Sequence, residues 1–364
     1  MTKIKRMRAM ISVALACGFM LTTCTARAQV PIYTAGSYTD SNGNEHACYW
    51  IGTKRTDLPT PAEASNFFAS AITVVNNTVY TAGKYTDSNL KDRVCYWIGT
   101  ERTDLPTLDA TAITVVNDTV YAAGRYTDGN GKDRPCYWTG TERTELPIPS
   151  GASGSTATAI AVVNNTVYTA GMYMDWYMDR YMVRHTDYRA CYWIGTERTD
   201  LSIPKETSDL FVSAITVVNN TVYTAGGYVD SNGYERMCYW IGAERRDYRN
   251  VIQGASDFYA SAITVANNTV YTAGWYMNSK GDSRVLCWGA TLGSIPAGAS
   301  SSIATAITAV SDTVYMAGGY TDSNSNVRAC YWIGIGTERA ERADLPIPKG
   351  ASDSLAGAIT VVAK

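Results

Sequence analysis

Short apolar, β-branched segments alternate with polar turn residues along the whole chain after residue 28. In one example, the segment Ser70-Ala-Ile-Thr-Val-Val75 ends at the pair Asn76-Asn77. β-Branched residues favour strands, and an Asn pair tolerates the positive φ angles of a type I′ hairpin turn. No stretch after residue 28 has the 3.6-residue periodicity of a helix. The pattern therefore predicts an all-β protein.

These segments belong to a unit that occurs seven times. Its first anchor is Tyr-x-Ala-Gly, which begins at Tyr33, Tyr80, Tyr121, Tyr168, Tyr223, Tyr271 and Tyr315. A second anchor, Cys-Tyr-Trp, follows in six units, and Cys287-Trp288 is a shortened copy in the sixth unit. Successive tyrosine anchors lie 41 to 55 residues apart. Self-similarity at such a period indicates a repeat architecture.

The second unit shows how the repeat divides into strands. We predict strands over residues 70–75, 78–87, 93–99 and 103–106, separated by turns. The last strand ends in Pro106, which suits an outer edge because a missing N–H does no harm there. Four antiparallel strands in a unit of this length are typical of a β-propeller blade.

The two ends of the repeat region complement each other. The region begins near Val30 with a second strand that lacks a first, and it ends over 358–362 with a first strand that lacks a second. We expect the C-terminal strand to complete the N-terminal blade, since this closes the ring and covers a strand edge. The prediction is a single domain over residues 29–364, a closed seven-bladed β-propeller of four-stranded antiparallel blades.

The repeat resembles that of uncharacterised secreted β-propeller proteins of bacteria, whose unit carries Tyr-Thr-Ala-Gly followed by Cys-Tyr-Trp-Ile-Gly-Thr. Both phrases occur here, for example at residues 80–83 and 95–100, and the resemblance covers residues 30–364. It implies an exported propeller and implies no activity.

Residues 1–28 are predicted to be a signal peptide. Basic residues precede the apolar run 9–21, and Ala26-Arg-Ala28 matches an A-x-A cleavage site. Leu21-Thr-Thr-Cys24 resembles a lipobox, but a threonine before the cysteine matches that motif poorly. We therefore expect a protein released to the periplasm, the cell surface or the medium, with a lipid anchor at Cys24 as the alternative. The run 9–21 is too short to span a bilayer comfortably, and the sequence has no other long apolar run.

Composition and charge exclude several classes of protein. The chain of 364 residues is 46% hydrophobic and 18% charged, which excludes a disordered protein. Loss of residues 1–28 removes five basic residues and no acidic one, so the formal net charge changes from −2 to −7. An acidic chain without a basic cluster is a poor nucleic-acid binder. We expect a monomer without a nucleic-acid partner and without a transmembrane span.

Residues that recur in every unit are expected to hold the fold together. Seven cysteines follow the signal region, one per unit, and we assign them to one equivalent position as buried free thiols. Equivalent points on adjacent blades lie beyond the ~7 Å Cα separation that a disulfide allows. The repeated tryptophans, such as Trp50, Trp97 and Trp193, are expected between blades. A ring of sugar-stacking platforms is the alternative for them.

Acidic turns raise the question of a metal. Asp40-Ser-Asn-Gly-Asn-Glu45 and similar turns at 128–133, 230–235 and 322–326 echo the start of a calcium-binding loop but lack its bidentate Glu. Asn-Gly is also a strong hairpin signal, so we predict plain turns, with calcium as the alternative and no other cofactor. No nucleophile elbow, H-E-x-x-H or Walker motif occurs, and no catalytic residue is predicted.

The fourth unit breaks the symmetry. It has 23 residues between its Tyr and Cys anchors, where the other units have 15 or 16. The extra segment lies in 172–187, on the propeller face that also carries the links between blades. Aromatic residues and arginines are common anchors of binding sites. The candidate ligand-binding residues are Asp175, Trp176, Tyr177, Asp179, Arg180, Tyr181, Arg184 and His185. A longer hairpin without a function is the alternative.

The leading functional hypothesis is an exported, non-catalytic binding or scaffold module. It would recognise a carbohydrate, a peptide or a cell-envelope partner through the face that carries residues 172–187. Two alternatives stay open at this point. One is a propeller enzyme acting on polysaccharide, as a lyase or glycosidase, and the other is a purely structural envelope protein.

Overall fold

The computed structural model describes residues 30–61, 63–105, 110–178, 184–203, 207–248, 252–289, 299–335 and 341–362. These residues form 27 strands in seven antiparallel sheets. Within each sheet we name the strands a to d. The a strands contact one another in a closed ring and are therefore innermost.

The a strands are β4 (Ser65–Val75), β8 (Ala110–Val116), β12 (Ser153–Val163), β16 (Ser208–Val218), β20 (Ser256–Ala266), β23 (Ser301–Val310) and β27 (Ser354–Val361). The b strands are β1 (Ile32–Thr39), β5 (Thr78–Thr86), β9 (Thr119–Thr127), β13 (Thr166–Met178), β17 (Thr221–Val229), β21 (Thr269–Met277) and β24 (Thr313–Thr321). The c strands are β2 (Glu45–Ile51), β6 (Asp92–Ile98), β10 (Asp133–Thr139), β14 (Arg184–Ile194), β18 (Glu235–Ile241), β22 (Ser283–Trp288) and β25 (Val327–Ile335). The d strands are β3 (Lys54–Asp57), β7 (Glu101–Asp104), β11 (Glu142–Glu145), β15 (Glu197–Asp200), β19 (Glu244–Asp247) and β26 (Glu341–Asp344).

The architecture is the predicted seven-bladed propeller. Blade 1 consists of β27 and β1–β3, and blades 2 to 5 consist of β4–β7, β8–β11, β12–β15 and β16–β19. Blade 6 contains β20–β22 and blade 7 contains β23–β26. Blade 6 shows three strands, and residues 290–298, which follow β22, lie outside the described part of the chain.

The predicted closure of the ring is confirmed. The C-terminal strand β27 pairs antiparallel with β1, from Ile32 opposite Val361 to Tyr38 opposite Ser354. The last strand of the chain is thus the innermost strand of blade 1. This pairing covers the free edge of β1, which would otherwise invite association with another chain.

The predicted turn at Asn76-Asn77 is confirmed, and the strand bounds differ at two places. Asn76 and Asn77 both have positive φ, at 48° and 62°, as the type I′ turn requires. The first strand of the unit begins at Ser65, five residues before the predicted start at Ser70. The fourth strand begins at Glu101, because Gly99 at φ 60° reverses the chain within a two-residue turn.

Bulged hydroxyl residues in several a strands link adjacent blades near the axis. The Thr158 hydroxyl donates a hydrogen bond to Val212 O of the next blade at 2.6 Å, and the Ser213 hydroxyl donates to Ala260 O at 2.5 Å. Thr305 bonds Ala356 O in the same way at 2.6 Å. These bonds join the inner strands of neighbouring blades around the ring.

The repeated tryptophans form the core between blades, as predicted. Trp50, Trp97 and Trp193 are fully buried. The indole N–H of Trp97 donates to Pro59 O of the preceding blade at 3.0 Å, and Trp193 donates to Pro147 O at 2.9 Å. Trp97 and Trp193 therefore contribute both apolar packing and a hydrogen bond across a blade junction.

The cysteines are buried free thiols, but one of them is not at the expected position. Cys48 and its equivalents lie opposite the glycine of the Tyr-x-Ala-Gly anchor. In blade 6, Leu286 lies opposite that glycine, and Cys287 occupies the tyrosine position next to it. The assignment of seven equivalent cysteines was therefore wrong for Cys287, because the shortened anchor aligns on Trp288.

Within the described residues, no helix is long and apolar enough to span a membrane.

Candidate functional site

The strand order gives the propeller two different faces. The b–c connections and the links from a d strand to the next a strand lie on one face, which we call the b–c face. The a–b and c–d turns lie on the opposite face. Residues 172–187 fall in the b–c connection of blade 4, so the extended segment lies on the b–c face as predicted.

The extended segment is a long hairpin. Strands β13 and β14 continue their pairing to Trp176 opposite Thr186 and to Met178 opposite Arg184, beyond the length of the other b and c strands. The backbone of Tyr177 pairs with that of His185 near the end of this hairpin.

Asp175 is partly buried and pairs across the hairpin with Asp187, where the hairpin begins to extend beyond the length of the other blades. Among the other candidates, Trp176, Tyr177, Arg184 and His185 belong to the described strands. Asp179, Arg180 and Tyr181 lie outside the described residues. The structure therefore supports the hairpin itself, and the binding role of these residues stays a prediction.

Three aromatic rings form a row near the axis, also towards the b–c face. Phe211 and Tyr259 occupy equivalent positions near the start of the inner strands β16 and β20. Their ring centroids are 5.4 Å apart at an interplanar angle of 12°. Trp275 pairs across the sheet with Tyr259, with centroids 5.8 Å apart at 19°. All three side chains are partly exposed, and we call them the platform.

A glycine makes room for the first ring of the platform. Phe211 lies opposite Gly227 in the next strand. A Cβ added at Gly227 would lie 2.6 Å from Cζ of Phe211. The absence of a side chain at Gly227 therefore allows the Phe211 ring to lie flat on strand β17.

Two carboxyl groups lie beside the platform. Asp257 Oδ1 accepts a hydrogen bond from the backbone N–H of Glu235 at 3.2 Å, across the junction of blades 5 and 6. Burial, together with the charge of Asp257, raises the pKa of Glu235. Burial also raises the pKa of Tyr259, with a smaller contribution from Glu235, so the carboxyl group is close to this platform residue.

The platform is one part of an uneven ring of side chains around the axis. The positions equivalent to Phe211 carry Ile303 in blade 7, Leu355 in blade 1, Phe68 in blade 2 and Thr156 in blade 4. Among the described residues at these equivalent positions, the rings of neighbouring blades therefore stack only between blades 5 and 6. The repeat pattern does not reveal this site, because equivalent positions of other units carry Ile, Leu or Thr and no motif marks them.

The acidic turns are held together by their own side chains. Oδ1 of Asp87 accepts bonds from the backbone N–H groups of Asn89 and Lys91, and Oδ2 accepts the Arg93 guanidinium at 2.7 Å. The Arg93 bond, followed by the Lys91 N–H bond, lowers the pKa of Asp87. The same arrangement recurs at Asp128, Asp230 and Asp322. Both oxygens have protein partners, which favours the plain-turn interpretation. No group of three metal-ligating side chains occurs among the described residues.

The outer rim repeats a tyrosine, an arginine and an acid. In blade 1, the Arg55 guanidinium lies 4.8 Å from the Tyr38 ring centroid and pairs with Asp57 at 2.7 Å. In blade 3, burial, followed by a hydrogen bond to Glu145, raises the pKa of Tyr126 to about 12. These partly exposed ion pairs contribute little stability each, and they place charges along the outer edge strands.

No protein-family model matches the chain, and no curated protein matches it either. A solved structure from an analysis of two prolyl endopeptidases is 11% identical with a TM-score of 0.54, over 88% of this chain and 51% of that chain. The β-propeller domain of the trilobed protease from Pyrococcus furiosus is 9% identical with a TM-score of 0.49, over 88% and 98% of the two chains. A lectin from Burkholderia pseudomallei is 13% identical with a TM-score of 0.44, over 86% and 95%. At such identities the likeness concerns the fold alone, and the chain is similar in fold to known β-propellers.

Proposed function

We propose that the protein is an exported, non-catalytic binding module that recognises a carbohydrate through its b–c face. The observation that carries the proposal is the platform of Phe211, Tyr259 and Trp275. The apolar C–H face of a sugar ring packs well on an aromatic ring, and partly exposed rings in a row offer such a surface. Solvent exposure of three stacked aromatic side chains is otherwise unfavourable.

The carboxyl groups beside the platform supply the polar part of recognition. Carboxylate oxygens accept hydrogen bonds from hydroxyl groups, and each carboxylate has about four acceptor sites. The Glu235 side chain is partly exposed and lies close to Tyr259. A sugar stacked on the platform would therefore find hydrogen-bond acceptors at its edge.

The long hairpin extends the same face in the neighbouring blade. Blade 4 carries β13 and β14, and blade 5 carries Phe211. A ligand that contacts both the platform and the hairpin would have to extend across two blades. This arrangement favours an oligosaccharide over a single sugar.

A glycan array followed by calorimetry on the retained oligosaccharide tests the proposal. We expect Trp275→Ala to lower the affinity at least tenfold, because it removes the outermost ring, while the melting temperature shifts by only a few degrees. Lys84→Ala, at the position equivalent to Trp275 in blade 2, is the matched control and should retain binding. Retention that is equal in both variants, or no retained glycan at all, would contradict the proposal.

A second experiment separates the hairpin from the platform. Combined replacement of Trp176, Tyr177 and Tyr181 by Ala should weaken binding of long oligosaccharides more than binding of short ones. Equal affinity for both lengths would remove the hairpin from the proposal and leave the platform.

Export is tested at the N-terminus. Mass spectrometry of the mature protein should find a chain that begins at residue 29, after Ala26-Arg-Ala28. A lipid-modified Cys24 would support the anchored form, and an intact Met1 would contradict export.

A further inference from the structure

A cavity of about 280 Å³ lies between blades 5 and 6 and shares no residue with the platform. Its walls include Tyr228, Arg236, Asp247, Tyr248, Phe258 and Trp288, and we call it the 5–6 pocket. Four of these six side chains are aromatic. Its volume is just below the range of about 300–1,000 Å³ that is usual for small-molecule sites.

The junction of blades 3 and 4 has an equivalent cavity with a different lining. There, Tyr126, Arg134, Glu145 and Leu146 take the places of Tyr228, Arg236, Asp247 and Tyr248. Leucine also occupies this position as Leu58, Leu105, Leu201 and Leu345, each buried. Tyr248 is thus a departure from the repeat, and it replaces an aliphatic wall by an aromatic one.

Tyr248 is fixed in place by its hydroxyl group. The hydroxyl is hydrogen-bonded to Oγ1 of Thr272 in blade 6. Burial raises the pKa of Tyr248 well above its usual range, so the hydroxyl stays protonated. The ring lies 4.6 Å from the Trp288 ring, at 44°. The aromatic wall is therefore preorganised, which reduces the entropy that binding would cost.

Two further aromatic residues are more exposed than their counterparts. Trp50, Trp97, Trp193, Trp240 and Trp332 are fully buried, whereas Trp288 is partly exposed. Tyr228 is partly exposed, as is Tyr126 at the 3–4 junction, whereas the equivalents Tyr38 and Tyr85 in blades 1 and 2 are buried. The indole surface that the other junctions use for packing is thus open to a ligand at Trp288.

The charges at the 5–6 pocket cancel. Nε of Arg236 lies 2.7 Å from Asp230, and Arg245 lies 2.9 Å from Asp247. Two guanidinium groups thus face two carboxylates, which disfavours a ligand of either net charge. Asp247 is about half exposed, at 47%, so it can still accept a hydrogen bond from a ligand.

We propose that the 5–6 pocket binds a small, uncharged, planar aromatic molecule that carries an N–H or O–H donor. The aromatic ring would pack against Trp288 and Tyr228, and the donor would bond the Asp247 carboxylate. Aromatic pairs of this kind attract each other beyond the effect of the area that they bury. This site is independent of the carbohydrate proposal, because the two share no residue.

Indole is a suitable probe of the pocket, and 1-methylindole is the same ring without the donor. We expect saturation-transfer NMR on the full chain to detect binding of indole. The affinity for 1-methylindole should be at least threefold lower. Asp247→Asn should reduce that difference between the two probes. Tyr248→Leu introduces the leucine found at this position in other blades. It should lower the affinity for indole at least fivefold without loss of folding.

Variants at the 3–4 junction provide the matched control. Tyr228→Ala should abolish the indole signal, whereas Tyr126→Ala, at the equivalent position of blade 3, should leave it unchanged. Equal loss in both variants would indicate unspecific binding between blades and overturn the proposal. No signal with wild-type protein at millimolar indole, or an unchanged signal in Tyr248→Leu, would also overturn it.

Discussion

The bulged residue of the a strand carries a hydroxyl group in six blades, but in blade 1 it is Gly357. The equivalent bulged residues are Ser70, Thr111, Thr158, Ser213, Ser261 and Thr305. From the repeat alone, Gly357→Ser would be expected to add one more hydrogen bond between blades. The structure predicts that this substitution destabilises the protein instead.

The reason is the closeness of blade 2. A Cβ at Gly357 would lie 2.7 Å from Cζ of Phe68 and 2.8 Å from the carbonyl oxygen of Ala69. Overpacking of this kind costs about 1–3 kcal/mol. A new hydrogen bond would return at most about 0.5–1.5 kcal/mol, and only if the chain moves first. Since each kcal/mol shifts the melting midpoint of a large domain by roughly 2–4 °C, we expect a visible loss.

Thermal and urea unfolding followed by circular dichroism measure this effect. Phe68→Ala in the same chain should remove part of the clash, so the double variant should be more stable than the sum of the single effects predicts. The contact with the Ala69 carbonyl keeps the rescue incomplete. Thr305→Val is the control for the hydroxyl alone and should cost about 0.5–1.5 kcal/mol. A stabilised Gly357→Ser protein, or strictly additive single effects, would refute the reasoning.

Three further predictions concern the ring, the thiols and the acidic turns. Removal of residues 354–364 takes away every pair between β1 and β27, so we expect loss of the cooperative melt and aggregation in size-exclusion chromatography. Burial raises the pKa of Cys95 to about 12, so this thiol should stay unreactive towards a disulfide reagent at pH 8 until urea unfolds the chain. Arg93→Gln should raise the depressed pKa of Asp87, measured by NMR titration. A carboxyl group with a lowered pKa stabilises the fold above the pKa of the unfolded state, about 3.9, and this stability is lost as the pH falls. The Arg93→Gln variant should therefore lose less stability between about pH 4 and pH 2 than wild type.

The fold could be predicted because its determinants are local and repeated. Asn76-Asn77 encodes a hairpin turn through the φ preference of asparagine, and five further units have a two-residue turn at the same place. The incomplete units near Val30 and over 358–362 predict that the two ends of the chain pair and close the ring. These signals depend on backbone preferences and on counting, and they need no knowledge of side-chain packing.

The platform and the shifted cysteine could not be predicted in the same way. Phe211 and Tyr259 are 48 residues apart in the chain, and their stacking depends on how two blades approach each other. The sequence places Cys287 with the other cysteines, but the pairing with β21 puts Trp288 opposite Thr272 and Leu286 opposite Gly274. Both outcomes depend on register and on contacts between blades, which a repeat pattern does not contain.

Three departures from the repeat lie in consecutive blades. The long hairpin belongs to blade 4, the platform spans blades 5 and 6, and Tyr248 with Trp288 lines the junction of blades 5 and 6. All three lie towards the b–c face, where β18 begins and where β19 leads into the next blade. The symmetric parts of the molecule bury their tryptophans and pair their charges, so they offer a ligand few free groups. Recognition by this propeller should therefore be confined to one sector of one face, and substitutions in blades 1 and 2 should change its stability without changing its binding.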